Sequence, residues 1–143
     1  MEYQRQSHAV YHTRYHLVFS TKFRRKLLKG GMGRYLGYLV KGIERHHPEI
    51  QIIEVNTDED HVHILFAIAP KLSVAQVVGV IKANTARQMK KKFPFLVHGY
   101  FDQDTIWSIG YFVSTVGITE SIVQKYIEMQ GKEDSGQAKL DFQ

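Results

Sequence analysis

A chain of 143 residues holds one domain around one core, and 43% hydrophobic with 23% charged residues excludes a disordered or fibrous class. The absence of cysteine excludes disulfides and cysteine-based zinc fingers and agrees with a reducing, cytoplasmic setting. Apolar runs such as residues 64–70 and 73–81 are too short to span a bilayer, MEYQRQSHAV reads as no secretory signal, and the net charge of +5 suits a phosphate-rich partner without requiring one.

Residues 12–21 (HTRYHLVFST) are rich in β-formers and predict a strand, followed by a basic connection at 22–26 (KFRRK). Residues 33–47 place Tyr35, Leu36, Leu39, Val40 and Ile43 at helical spacing, and Pro48 ends that helix. Residues 50–56 (IQIIEVN) predict a second strand. Asp58, Glu59 and Asp60 supply a turn, and residues 61–69 (HVHILFAIA) form the third strand, hairpinned to the second. Ser73 is the N-cap of a helix running to about Lys92, with Val74, Val77, Val78, Ile81 and Met89 on one face. A loop follows Phe93 and Pro94, and residues 107–115 (WSIGYFVST) predict a fourth strand. Gly117 breaks the chain, and Thr119 or Ser121 caps a last helix that ends at Gln130 and Gly131. The order β-α-β-β-α-β is a split βαβ: an antiparallel sheet with two helices on one face, here with an additional C-terminal helix. Residues 1–131 read as one domain and 132–143 as a polar, mobile tail.

His61 and His63 stand two apart on a strand, so their side chains share one face while Val62, Ile64, Phe66 and Ile68 take the other. Two adjacent imidazoles are a ligand pair for a divalent ion. His-x-His is common, however, and in most sequences the two are half-exposed strand residues. Tyr126 and Gln130 are four apart on the last helix and share a face. A helix lying on the open sheet face would bring that phenol and amide beside the imidazoles, where a metal polarises a phosphate and the phenol oxygen attacks phosphorus. Most of the eight tyrosines are structural. Lys22, Arg24, Arg25 and Lys26 form one basic group. Arg87, Lys90 and Lys91, with Lys82 at the edge, form another on the second long helix. Both groups are candidates for phosphate contact, and equally for solvated surface. Tyr100, Phe101 and Trp107 are candidates for stacking on unpaired bases, core packing being the commoner role.

Five blocks in order give these residues a family context. DEDHVHILFAI resembles the His-hydrophobic-His strand of the HUH single-tyrosine transposases, the TnpA type carried by the smallest bacterial and archaeal insertion sequences. VQKYIEMQ resembles that family's nucleophile helix, YHLVFSTKFRRKLL its first strand, IKANTARQMKKKFP the helix after the histidine strand, and IWSIGYFVSTVG its last strand and turn. The resemblance implies a ferredoxin-like (RRM-like) α+β sandwich acting as a homodimer on single-stranded DNA with hairpin ends. It implies Tyr126 as the nucleophile that keeps a 5′ phosphate, and His61, His63 and Gln130 as ligands of Mg²⁺ or Mn²⁺. It also implies active sites shared between subunits. No nucleotide cofactor is expected, and no Gly-rich phosphate loop is present.

Three alternatives share parts of this pattern. A metal-free RRM-type binding module would need stacking aromatics on its central strands, where His61, His63, Leu65 and Ala67 stand instead. A metallohydrolase would activate water with the histidines and leave Tyr126 and Gln130 unexplained. A domesticated HUH endonuclease would nick repeat hairpins without mobilising an element.

Overall fold

The computed structural model describes residues 4–6, 9–11, 13–97 and 106–135. Tyr100 and Phe101, and the tail from residue 136 on, lie outside them. A short antiparallel hairpin of β1 (Gln4–Gln6) and β2 (Ala9–Tyr11) precedes the main fold. It was not expected from a segment that lacks a turn dipeptide. The main chain order is then β3 (Arg14–Ser20), α1 (Gly31–Gly42), β4 (Ile50–Thr57), β5 (His61–Ile68), α2 (Val74–Lys92), β6 (Phe112–Ser114) and α3 (Glu120–Asp134).

The four-stranded sheet has the order β4-β5-β3-β6, antiparallel throughout. This is the expected α+β split βαβ, and its physical cause is the alternation in β5. Val62, Ile64 and Phe66 are fully buried with Leu17 and Phe19 of β3, against Leu36 and Val40 of α1 and Val77 and Ile81 of α2. His61, His63 and Leu65 fall on the opposite face. Ser73 caps α2 as a capping box: its hydroxyl accepts from Gln76 N–H (3.1 Å), and Gln76 Oε1 accepts from Ser73 N–H (2.8 Å). Thr119 caps α3 by accepting from Ile122 N–H. Among the described residues no helix is long and apolar enough to cross a membrane.

Three local features depart from the sequence expectations. The first helix ends at Gly42 and tightens into a 3₁₀ turn at Ile43–Arg45. The fourth strand is cut to Phe112–Ser114, with Trp107 making only an isolated bridge to Thr21. Lys82 explains the gap, because its ammonium donates to the carbonyls of Ser108 (2.6 Å), Ile109 (3.1 Å) and Gly110 (3.1 Å), which turns them out of the ladder. The last helix passes through Gly131 to Asp134. Gly131 is a point of close approach rather than a stop, since a Cβ there would lie 2.6 Å from Arg24 Cδ.

The centre of the core is polar at one point. Trp107, fully buried, sets its ring edge-on to Phe19 and donates its indole N–H to Thr85 Oγ1 (3.0 Å). Thr85→Val keeps the volume and removes that acceptor. The expected result is a loss of about 1–3 kcal/mol in denaturant unfolding, with the native circular dichroism retained.

Candidate active site on the open sheet face

The sheet face away from α1 and α2 is built from alternate residues of all four strands. In β3 these are His16, Val18 and Ser20; in β5, His61, His63 and Leu65. The registers Val18↔His63 and Val18↔Phe112 place the imidazoles on one side of β3 and Phe112 on the other. In β4 a bulge between Ile52 and Glu54 shifts the register so that Glu54 pairs with Leu65 and Asn56 with His63. The extra residue turns Glu54 out of the core and sets it beside the histidines, where Asn56 Nδ2 donates to Glu54 Oε1 (2.9 Å). The Ile52-Ile53 doublet, which breaks the alternation, is the sequence signal for this bulge.

The tight turn before β5 orients the first imidazole. Asp58 N–H donates to the carbonyl of His61, and Asp58 Oδ1 accepts from Glu59 N–H. Asp60 Oδ1 lies 2.9 Å from His61 Nδ1, and Arg24 Nε lies 3.6 Å from Asp60 Oδ2. A carboxylate on Nδ1 fixes the tautomer that leaves Nε2 as the free lone pair, the arrangement that metal-binding histidines use. His63 has its Nε2 3.3 Å from Nδ1 of His16. Its pKa is lowered, first by burial and then by His16 and His61, against an upward pull from Glu54. A lowered pKa keeps this imidazole neutral, the form that ligates a metal. Two imidazoles on one face, one with a carboxylate behind it, fit a divalent cation. Among the described residues no three His, Asp or Glu side chains form a ready-made metal cage, so a third ligand must come from another residue type or from movement.

The last helix lies on this face. Val18 and Ser20 are fully buried and Ile127 is 1% exposed where α3 packs on β3. Its first turn, with Glu120 and Val123, closes one side of a cleft of about 300 Å³ whose other side carries His61, His63 and Asn56. Tyr126 packs on Phe112 (ring centroids 6.1 Å). Phe112, its packing partner, stands two strand spacings of about 4.8 Å from His63, on the far side of β3. The Tyr126 hydroxyl donates to Gln130 Oε1 (3.3 Å), and Gln130 Nε2 donates to Glu133 (3.1 Å). Gly110 lies directly against this pair, since a Cβ there would sit 2.6 Å from Gln130 Oε1. Burial raises the phenol pKa far above its usual value, with Glu133 and Asp134 adding to the effect. In this docked position Tyr126 is a neutral phenol hydrogen-bonded to Gln130. The structure thus brings together His61 with His63, and Tyr126 with Gln130, as two half-sites on one face.

The end of α3 is tied down. Asp134 Oδ2 accepts from the N–H of Phe23 (2.9 Å) and from the Ser108 hydroxyl (2.6 Å). Phe23 and Arg24 both have positive φ, 59° and 54°, a strained pair for residues with a Cβ. The basic residues divide accordingly. Arg24 faces Asp60, and Lys26 is 3.8 Å from Glu59. Lys22 and Arg25 lie over the Phe23 ring. The Lys82 ammonium is occupied by the turn beneath Gln130, and burial lowers its pKa to about 8 against the opposing pull of Asp134. On α2, Arg87 and Lys91 are exposed and Lys90 is half-buried.

Comparison with known proteins matches this geometry to a family. Residues 9–130 match the model of the IS200-like transposases. The chain is 31% identical over 128 residues to the transposase of insertion sequence element IS200 from Salmonella typhimurium, covering 90% of this chain and 83% of that one. It is 30% identical over 122 residues to the ISDra2 transposase TnpA of Deinococcus radiodurans, covering 85% and 86%. The crystal structure of a provisionally named transposase from Deinococcus radiodurans has the same fold, with a TM-score of 0.76 at 25% identity over 89% of this chain and 97% of that one. With the split βαβ from β3 to β6, His61, His63, Tyr126 and Gln130 all inside the matched span, the chain belongs to the IS200-like transposases, single-tyrosine enzymes of small insertion sequences that cut and transfer DNA strands.

Proposed function

We propose that the chain cuts and rejoins single-stranded DNA at the hairpin-bearing ends of an element, with Tyr126 as nucleophile and Mg²⁺ or Mn²⁺ held by His61, His63 and Gln130. The observation that carries this reading is that the imidazole pair and the Tyr126–Gln130 pair lie on one sheet face with a cleft between strand and helix. Tyr126 Oη attacks phosphorus, an O–P bond forms, and the bond to the 3′ oxygen breaks. The phenol proton is lost, and the leaving 3′ oxygen is released as a hydroxyl. A 3′ hydroxyl then attacks the phosphotyrosine and restores a phosphodiester, so bond energy is conserved and no nucleotide is consumed. The divalent ion supplies Lewis acidity at a non-bridging phosphate oxygen. The protein's own task is to bring the phenol out of its docked position, where burial keeps the proton on. The exposed cations Arg87 and Lys91 of α2 and Lys26 of the 22–26 segment contact phosphates, with the half-buried Lys22, Arg24, Arg25 and Lys90 beside them. With DNA as substrate the compartment is the cytoplasm. The transposase domain is residues 1–131 together with the last turn of α3 to Asp134, followed by the tail.

The active assembly is a homodimer in which Tyr126 and Gln130 of one subunit meet His61 and His63 of the other. The separation of the two half-sites within one subunit supports this, because exchange of α3 between subunits closes the gap without refolding either. The test mixes a Tyr126→Phe protein with a His61→Ala, His63→Ala protein and lets subunits exchange. Each is inactive alone. Shared sites return cleavage, because one site in the mixed dimer carries both intact halves. Verified exchange without activity would place each site within one chain.

A further inference from the structure

Asp134, the last residue of α3, makes two hydrogen bonds for which the chemistry above has no use. Its Oδ2 accepts from the backbone N–H of Phe23 (2.9 Å) and from the Ser108 hydroxyl (2.6 Å). It also faces the Lys82 ammonium as an opposite charge. A main-chain N–H, a hydroxyl and a nearby ammonium make a seat for an anion, and a phosphate oxygen satisfies it as well as a carboxylate oxygen does. Ser108 is fully buried, and the Phe23 N–H belongs to the pair held at positive φ. Around the seat stand Lys22, Arg24, Arg25 and Lys26, four cations against the two carboxylates of Glu59 and Asp60. Beside it opens a cleft of about 390 Å³ lined by Phe23, Arg24, Glu128, Gly131 and Lys132.

The contact can be given up at little cost. Ser108 Oγ lies 3.1 Å from the carbonyl of Thr21, so its proton has a second acceptor when Asp134 leaves. Phe23 is 47% exposed, so its N–H passes to water. Neither donor is left buried and unsatisfied. Asp134 stands one turn beyond Gln130 and two beyond Tyr126 on the same helix, so what holds it also holds the docked phenol.

We propose that this seat binds a backbone phosphate of single-stranded DNA, and that in the substrate-free chain Asp134 occupies it as an internal substitute that latches α3, and with it Tyr126, in the docked position. The inference rests on the cleavage reading above and supplies the event that brings the phenol out. A strand held by neighbouring phosphates on the 22–26 cations presents its next phosphate at high local concentration, so it competes with a tethered carboxylate. The phosphate takes the Phe23 N–H and the Ser108 hydroxyl, Asp134 leaves, and the end of α3 is released. No covalent bond changes in this step.

The test follows amide hydrogen exchange of α3 in the full chain by mass spectrometry, and binding of oligothymidylate at low salt by fluorescence anisotropy. In the wild type, α3 amides are expected to be protected and to exchange about ten-fold faster with saturating oligothymidylate, as loss of charge-assisted hydrogen bonds allows. Asp134→Ala should exchange at the faster rate without DNA and bind oligothymidylate about ten-fold more tightly, because the internal competitor is gone. Ser108→Ala should also free α3, but with a seat donor lost its binding is not tightened. Glu128→Gln removes a charge of α3 outside the seat; it should leave exchange unchanged and tighten binding by less than about three-fold. Should Asp134→Ala lose the native circular dichroism, the comparison is made with Asp134→Asn, which keeps the shape and removes the charge. Wild-type α3 that exchanges no faster with saturating oligothymidylate overturns the displacement. Asp134→Ala that binds no more tightly than Glu128→Gln overturns the seat. Either result leaves the cleavage reading standing, which falls instead if the wild type forms no covalent adduct with DNA.

Discussion

Tyr126→Phe is expected to abolish strand cleavage, by on the order of 10⁴-fold or more, as removal of a covalent nucleophile does, while DNA binding persists. The substitution keeps the ring that packs on Phe112 and removes only the oxygen that donates to Gln130. Loss of that half-buried hydrogen bond costs about 1 kcal/mol. Stability therefore hardly changes, and the loss of activity is chemical. A denaturing gel checks the cleaved strand and the covalent adduct together, and a mobility-shift assay checks binding. An adduct that still forms in the phenylalanine variant would remove Tyr126 from the mechanism.

His61→Ala and His63→Ala are expected to reduce cleavage by on the order of 10³-fold or more, as excess chelator does to the wild type, because the Lewis acid at the phosphate is lost with them. Both side chains leave the half-exposed face of β5, so the core of Val62, Ile64 and Phe66 is untouched and the fold remains. Asp60→Asn acts one step further out. It keeps the shape of the turn and weakens the grip on His61 Nδ1, with an expected loss of about 10- to 100-fold in metal affinity. Gln130→Ala weakens cleavage less than loss of either histidine, since a neutral amide is the weakest of the three ligands. Isothermal titration with Mn²⁺ and a cleavage assay separate these effects. Full cleavage by the wild type in excess chelator would contradict the metal assignment.

These predictions rest on residues whose placement is legible in the sequence to different degrees. The alternation of β5 is unambiguous: Val62, Ile64 and Phe66 have to be buried, and that alone fixes the face of His61 and His63. The caps at Ser73 and Thr119 and the stop at Pro48 are chemical signals read over a few residues, and they set helices to within a few residues. What is not legible depends on contacts between distant segments. Lys82 lies 26 residues from Ser108, yet it decides how short β6 is. Gly131 reads as a helix stop until Arg24 is seen against it. The β4 bulge that turns Glu54 toward the histidines is hinted at by an isoleucine doublet and settled only by pairing with β5. His16 carries no signal at all, because its meeting with His63 depends on the β3–β5 register. The docked, protonated state of Tyr126 is likewise a consequence of burial, with the charges of Glu133 and Asp134 adding to it, rather than of spacing.

The central claim is that Tyr126 becomes covalently joined to DNA. The most direct measurement incubates the wild-type protein and Mn²⁺ with a folded single strand from the flanks of its gene, digests protein and DNA, and locates the nucleotide-bearing peptide by mass spectrometry. The expected result is a phosphodiester-linked nucleotide on the peptide containing Tyr126, absent with chelator and absent from Tyr126→Phe. Cleaved DNA with no adduct, or an adduct on any other residue, would contradict the account.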